Sequence, residues 1–275
     1  MDVSESKIDR LDISRIREDL KCSVFGDRIV YHEVTDSSNL RAKELAGAGA
    51  PHGTVVIAEE QLAGKGRLDR KWVSPKGRNL MFSVLLRPEL RVDPVFFLTM
   101  LLALSARNVL KETMDIVAQV KWPNDIYISG KKVGGMLAEF SVCENRVEHV
   151  IIGLGLNVNW HPKDNPAILY SCTSLQGETG FAVERSSLLV KVLLQFEKYY
   201  EESIVEKGAW TRFQEEWNEC SYVLGKQVVV NSGMESIAGK AIEIDRSGAL
   251  IVRDSLGKES RILWGDVSVK SIRDL

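Results

Sequence analysis

The chain has 275 residues, 44% of them hydrophobic and 27% charged, enough apolar material for a substantial core in one large or two unequal domains. A formal charge of -2 excludes a globally basic nucleic-acid-binding face, so DNA is not an expected partner and any cationic cluster is a local device. Cys22, Cys143, Cys172 and Cys220 are scattered without C-x-x-C spacing, which speaks against a zinc knuckle or a disulfide framework and for reduced thiols in a cytoplasmic protein.

The chain start does not read as a basic-then-apolar leader. Ile13, Ile16 and Leu20 give helical spacing across residues 13–22, residues 28–33 predict a strand, and a helix follows Asp36-Ser37-Ser38-Asn39 over about 40–46. Residues 54–61 predict an apolar, β-branched strand that delivers a glycine-containing cationic segment, and residues 79–87 predict the strand beyond it. The longest apolar run, 95–106, contains Thr99 and Ser105 and is stopped by Arg107. It is too short to span a bilayer and predicts a buried helix with Asp93 as N-cap and Pro94 at its first position. Strands at 118–121, 125–129, 135–142 and 147–155, with a hairpin signal at Gly130-Lys131, predict an antiparallel run. Helical patterns return at 187–205 and 210–220. From Tyr222 the texture changes to short strands at 227–231, 236–244, 249–253 and 260–263, as in a small barrel that leans on the larger part. The expected division is therefore 1–220 and 221–275.

The segment Gly64-Lys65-Gly66-Arg67-Leu68-Asp69-Arg70-Lys71-Trp72 packs cations around glycines that let the backbone approach a ligand. Together with the Lys121-Trp122-Pro123-Asn124-Asp125 turn, it points to a site that holds a phosphate or carboxylate. A Walker loop is excluded because the glycine that should precede Gly64-Lys65 and the Ser/Thr that should follow are absent. Gly153-Leu154-Gly155 lacks the third glycine of a dinucleotide fingerprint. His32, His52, His149 and His161 show neither ligand spacing nor a nucleophile partner, which argues against a zinc enzyme or hydrolytic triad.

Glu60-Gln61-Leu62-Ala63-Gly64-Lys65-Gly66-Arg67, then Arg70-Lys71-Trp72 with Ser74-Pro75 and Gly77, the Lys121–Asp125 turn, and Gly153-Leu154-Gly155-Leu156-Asn157 resemble, in order and spacing, the successive signatures of biotin protein ligases. The resemblance runs from about Arg28 to the C-terminus, where residues 264–270 resemble the end of that family's terminal barrel. It implies an α+β fold: a mixed sheet flanked by helices, related to the class II aminoacyl-tRNA synthetase core, with an SH3-like C-terminal β-barrel. It also implies that ATP and biotin, with Mg2+, give biotinyl-5′-adenylate and pyrophosphate, and that biotin then passes to a lysine of a biotin carboxyl carrier domain. Lipoate protein ligase, which shares this chemistry, and a non-catalytic biotin-sensing adaptor are the competing readings.

The resemblance assigns roles residue by residue. Arg67 would bridge carboxylate and α-phosphate through planar bidentate donation, and Lys121 would place a compact charge on the same junction, making these two the catalytic pair. Ser37, Ser38, Asn39 and Gln61 would bind the ureido ring of biotin, although Ser37 to Asn39 also suit a helix N-cap. Gly64, Gly134, Gly135, Gly153 and Gly155 would let backbone crowd the ligand, Arg70 and Lys71 would assist on phosphates, Trp72 would cover the adenine and Asn157 would read its edge. Lys270 stands near the nucleotide. Metal ligands are not identifiable from the sequence. Lys65 and Lys270 stand where arginine is usual, Ser38 where threonine is commoner, and Asp69 where many members have glycine, so Asp69 could pair with Arg70 or Lys71. The loop is expected to order over the adenylate and exclude water. The roughly 27 residues before Arg28 are too few for a three-helix DNA-binding unit, so a ligase without repressor function is expected. Free sheet edges would suit pairing with the carrier domain or a homodimer.

Overall fold

Every residue of β2 (Thr54–Ala58) and β3 (Leu80–Leu86) is buried, as their near-continuous apolar sequences require of central strands. The computed structural model describes residues 10–68, 70–88, 95–144, 146–160, 171–205 and 209–270. Asp69, the helix start at Asp93 and Pro94, and His161 lie outside the described residues. The larger sheet has the order β1-β2-β3-β7-β6-β5-β4, completed by β1 (Ile29–His32), β4 (Gln119–Lys121), β5 (Asp125–Ile128), β6 (Lys131–Cys143) and β7 (Arg146–Leu156). Only β1 and β2 run parallel, and the four strands β4 to β7 form the expected antiparallel run.

Alternation along the strands decides which face meets which helix. Val55, Ile57, Val84, Leu86, Ile152 and Leu154 belong to the core shared with α3 (Val95–Met114), α5 (Arg185–Val205) and α1 (Ile13–Asp19). The intervening Val56, Leu85 and Ile151 face the other way and pack on Ala42 and Ala46 of α2 (Ser38–Gly47). Gly153 and Gly155 follow Ile151 at period two, so the glycine pair opens on the α2 face.

The helix expected to stop at Arg107 continues to Met114. Arg107 lies 3.7 Å from Glu216 and donates to Ala118 O, so a charge at the edge of the helix stripe is accommodated without ending the helix. The predicted strand 54–61 ends at Ala58, and Gln61 instead makes an isolated parallel bridge with Thr35. A short helix, α4 (Leu175–Thr179), capped by Ser174, was not anticipated, nor was β12 (Asp266–Val269) as a strand.

After α6 (Ala209–Glu219), the C-terminal part is a five-stranded antiparallel sheet ordered β11-β10-β9-β8-β12, with β8 (Gln227–Ser232), β9 (Glu235–Ile244), β10 (Leu250–Arg253) and β11 (Glu259–Ile262). It leans on the larger part through specific bonds. Val120 N donates to Cys220 O (2.9 Å), Tyr222 N to Val120 O (2.7 Å) and the buried Trp122 Nε1 to Gly248 O (2.9 Å). Among the described residues no helix is long and apolar enough to cross a membrane.

Candidate active site

A cavity of about 380 Å³ opens on the α2 face, between the loop joining β2 to β3, the β4–β5 turn, the glycine-bearing strands β6 and β7, and the edge strand β12. Its floor depends on missing side chains. A Cβ on Gly153 would lie 2.1 Å from Asn39 Oδ1, and one on Gly155 would lie 2.5 Å from Trp72 Cε2, so both neighbours sit where a side chain would otherwise be.

The α2 end of the cavity is a satisfied polar cluster. Ser37 occupies the N-cap position of α2 without a side-chain capping bond. Gln61 Oε1 accepts from Ser38 N (2.6 Å), doing the capping from another element, while Gln61 Nε2 rests 3.3 Å from Met81 Sδ. Asn39 Nδ2 donates to Glu139 Oε2 (2.7 Å) and Leu137 O (3.1 Å), and Ser83 Oγ stands 2.7 Å from Asn39 Oδ1 and 2.8 Å from Ser38 Oγ. Asp36 braces the turn: its Oδ1 accepts from Ser37 N (2.7 Å), and Arg41 pairs with it, holding its carboxyl well below the ordinary range. One edge of the cavity is thereby fixed before any ligand arrives.

The opposite end carries cations. Gly66 N donates to Arg70 O (2.7 Å) and Trp72 N to Gly64 O (2.9 Å), folding the cationic segment into a hairpin whose Leu68 has φ 54°. Arg67 Nη2 donates to Gly265 O (3.0 Å) and Nη1 to Asn124 Oδ1 (3.3 Å), while Arg70 pairs with Asp266. The Trp122–Pro123 peptide is cis. Lys121 Nζ lies 3.2 Å from Tyr127 Oη and 5.1 Å from the Tyr127 ring centroid. Burial lowers the pKa of both Arg67 and Lys121, and Asp125 and Asp266 oppose that shift. Partly desolvated cations of this kind bind an oxyanion more strongly than exposed ones.

Of the residues singled out in the sequence, Ser37, Ser38, Asn39, Gln61, Arg67, Arg70, Lys71, Trp72, Lys121, Gly135, Gly153 and Gly155 line this one cavity. Gly64, Gly134, Asn157 and Lys270 are not among its lining residues, for local reasons. The Cβ position of Gly64 faces Trp72 O within the hairpin, and that of Gly134 faces Leu156 and Ile126 on the core side of β6. Asn157 is buried, with Nδ2 donating to Thr173 O (3.0 Å) and Oδ1 3.5 Å from Asn79 Nδ2, so it ties β7 to the segment before α4. Lys270 N closes the end of β12 on Gln227 O. Lining residues that sequence reasoning passed over include Asn124, Asp125, Lys132 and Asp266. Asp125 and Asp266 lay within segments already quoted, but Asp266 reaches the cavity only through the packing of the C-terminal sheet and Lys132 only through strand register.

Comparison with known proteins bears on this geometry. The profile of the Biotin/lipoate A/B protein ligase family matches residues 31–157, and that of the Biotin protein ligase C terminal domain matches residues 223–270. The chain is 36% identical over 249 residues to the Bifunctional ligase/repressor BirA of Bacillus subtilis, an alignment spanning 90% of this chain and 76% of that protein. It is 33% identical over 230 residues to the Biotin--[acetyl-CoA-carboxylase] ligase of Paracoccus denitrificans, spanning 82% and 94%. The solved structure of a biotin protein ligase from Aquifex aeolicus in complex with biotin and ATP matches with a TM-score of 0.74 at 30% identity, covering 89% of this chain and 99% of that one.

Proposed function

The chain belongs to the biotin protein ligase family, and from that premise we infer that its cavity activates biotin with ATP and hands it to a protein lysine. It is an ATP-dependent ligase. The observation that carries the reading is the convergence, in one cavity, of a preset polar cluster at Ser37, Ser38, Asn39 and Gln61 with the cations Arg67 and Lys121. The ureido group of biotin, with one carbonyl and two N–H groups, needs the mixed donors and acceptors of the first, and the valeryl chain can run over Gly153 and Gly155 toward the second.

In the first step a biotin carboxylate oxygen forms a bond to the α-phosphorus, the bond to the β-phosphate oxygen breaks, and pyrophosphate leaves with that electron pair. Arg67 and Lys121 offset the like-charge repulsion that this approach builds up. In the second, the amine of an acceptor lysine forms the amide with the acyl carbon, AMP leaves, and the amine gives up a proton. We propose the acceptor to be a biotin carboxyl carrier domain, as the name of the Paracoccus relative suggests for that protein. Asp125 and Asp266, the carboxylates lining the cavity, are paired with Lys132 and Arg70, and the described residues hold no cluster of three His, Cys, Asp or Glu. Mg2+, proposed to accompany ATP, would offset phosphate charge there, with Asp125 and Asp266 the lining carboxylates that would face it.

The division into 1–220 and 221–275 is part of the same proposal, supported by the separation of the strands into two sheets, β1 to β7 and β8 to β12. So is a cytoplasmic site of action, which the free cysteines suit. Biotin-dependent exchange of pyrophosphate into ATP tests the activity. Exchange with biotin and none with lipoate is expected, and exchange with lipoate alone would overturn the substrate.

A further inference from the structure

Tyr127 touches the ammonium that the proposed reaction uses, and any role for it rests on that functional reading. Lys121 and Tyr127 come from neighbouring strands. β4 and β5 pair antiparallel with Val120 opposite Ile126 and Lys121 opposite Asp125, so Tyr127 sits diagonally from Lys121 on the same face. Val120 and Ile126 are fully buried in the core, which turns Lys121, Asp125 and Tyr127 together toward the cavity they line. There Lys121 Nζ donates to Tyr127 Oη (3.2 Å) and lies 5.1 Å from the centroid of the same ring.

A lysine needs such a partner more than an arginine does. Its four-carbon stem is flexible, its charge is a point without a preferred plane, and two carboxylates, Asp125 and Asp266, attract it. The tyrosine, by contrast, is held from outside the cavity. β4 is an edge strand, and residues 220–222 run along its open side, with Val120 N donating to Cys220 O (2.9 Å) and Tyr222 N to Val120 O (2.7 Å). The Tyr222 ring stacks on the Tyr127 ring, with centroids 4.9 Å apart and planes 28° from parallel. Lys226 Nζ lies 3.8 Å from the Tyr222 ring centroid, and a Cβ on Gly130 would lie 3.7 Å from Tyr222 Oη. Tyr222 is thus confined by the β5–β6 turn and by the residue that leads into β8.

We propose that Tyr127 is a positioning residue for adenylate formation: its hydroxyl holds the Lys121 ammonium in place at the cavity, and the Tyr222 stack holds Tyr127. A hydrogen bond from the ammonium to an oxygen on a braced ring orders the lysine before ATP arrives, so the transition state does not have to order the stem. The junction between the two sheets thereby becomes part of the catalytic apparatus, because the ring that braces Tyr127 belongs to the segment entering the C-terminal sheet.

The test uses the full chain and follows biotin-dependent pyrophosphate exchange in Tyr127→Phe, Lys121→Ala, the double variant of these two, Tyr222→Ala and Tyr222→Phe, with thermal unfolding alongside. Tyr127→Phe keeps the ring and its stack and loses only the hydroxyl. It should lower kcat about 10-fold, the scale of one hydrogen bond to a charged group, with KM for biotin and the unfolding midpoint close to wild type. In the Lys121→Ala background the same change should alter the rate less than about 2-fold, because its target is gone. Tyr222→Ala should lower kcat several-fold, and Tyr222→Phe, which keeps the stack, should restore most of that loss. A Tyr127→Phe enzyme at wild-type rate, an equal loss with and without Lys121, or a fall in rate that merely follows the unfolding midpoint overturns the proposal. Tyr222→Phe no better than Tyr222→Ala overturns the part given to the stack. A wild-type chain without exchange overturns the functional reading, and this inference with it.

Discussion

At the α2 end of the cavity, Asn39 is bonded to Glu139, Leu137 and Ser83, and Gln61 caps the helix, so the polar atoms are fixed by their own neighbours. At the other end, Arg67 spans Asn124 on the β4–β5 turn and Gly265 just before β12, so three elements distant in sequence meet there. The first end is preorganised for shape. The second is assembled from parts, and the reacting charges fall there. Rigidity at the recognition end lets binding energy be spent on holding the acid, while groups drawn from several elements can tighten on the transition state.

Substitutions should separate the two ends. Arg67→Ala and Lys121→Ala, at the assembled end, are each expected to slow adenylate formation by roughly 10²- to 10³-fold. Their unfolding midpoints should stay close to wild type, and equal losses of rate and stability would contradict the contrast. Because burial lowers the Lys121 pKa, activity that needs its charge should fade on the alkaline side at lower pH than an ordinary lysine would dictate. A pH profile of kcat/KM reads this directly.

The preorganised end extends below the loop, where Arg185 and Glu59, 0% and 2% exposed, pair at 2.8 Å. Arg185 also donates to Asn79 O, Glu59 Oε1 accepts from Leu11 N, and Glu59 O accepts from Gly77 N, so this pair joins both feet of the cationic loop and the N-terminal segment. Arg185→Met strands a buried carboxylate and should cost about 3–5 kcal/mol in urea unfolding. A loss under about 1 kcal/mol would mean that water reaches Glu59.

Asn39→Ala leaves Glu139 and Ser83 short of a partner and should cost about 1–3 kcal/mol together with a clear loss of biotin affinity by calorimetry. Unchanged affinity would remove Asn39 from the recognition end. The smallest effect belongs to Asp36→Asn. The folded-state pKa of Asp36 is depressed, chiefly by Arg41, so its contribution is present above the ordinary aspartate value and is lost as pH falls through the folded value. The variant should melt below wild type at neutral pH, and the gap should close in acid.

The same contrast explains what the sequence disclosed. Loop, turn and glycine pair were legible because each needs its residues adjacent: glycines and cations in a hairpin, Lys121 before Trp122 and Pro123, glycines at period two. The strands of both sheets, β12 excepted, were legible from apolar patterning and turn residues. Lys132 was not, because a one-residue bulge decides which way it points, and local pattern carries no register. Asp266 was not, because it meets Arg70 only after two sheets dock. Asn157, the last member of a motif, is buried with its Nδ2 donating to Thr173 O, a partner that no spacing along the chain announces. The extent of α3 past Arg107 likewise depended on Ala118 and Glu216, which the helix pattern does not contain.

The most direct measurement is a crystal structure of the chain bound to a non-hydrolysable analogue of biotinyl-5′-AMP. The account predicts the ureido ring within hydrogen-bond reach of Ser37, Ser38, Asn39 or Gln61, and the phosphate between Arg67 and Lys121. A phosphate remote from both cations, or a ureido ring away from the start of α2, would contradict it.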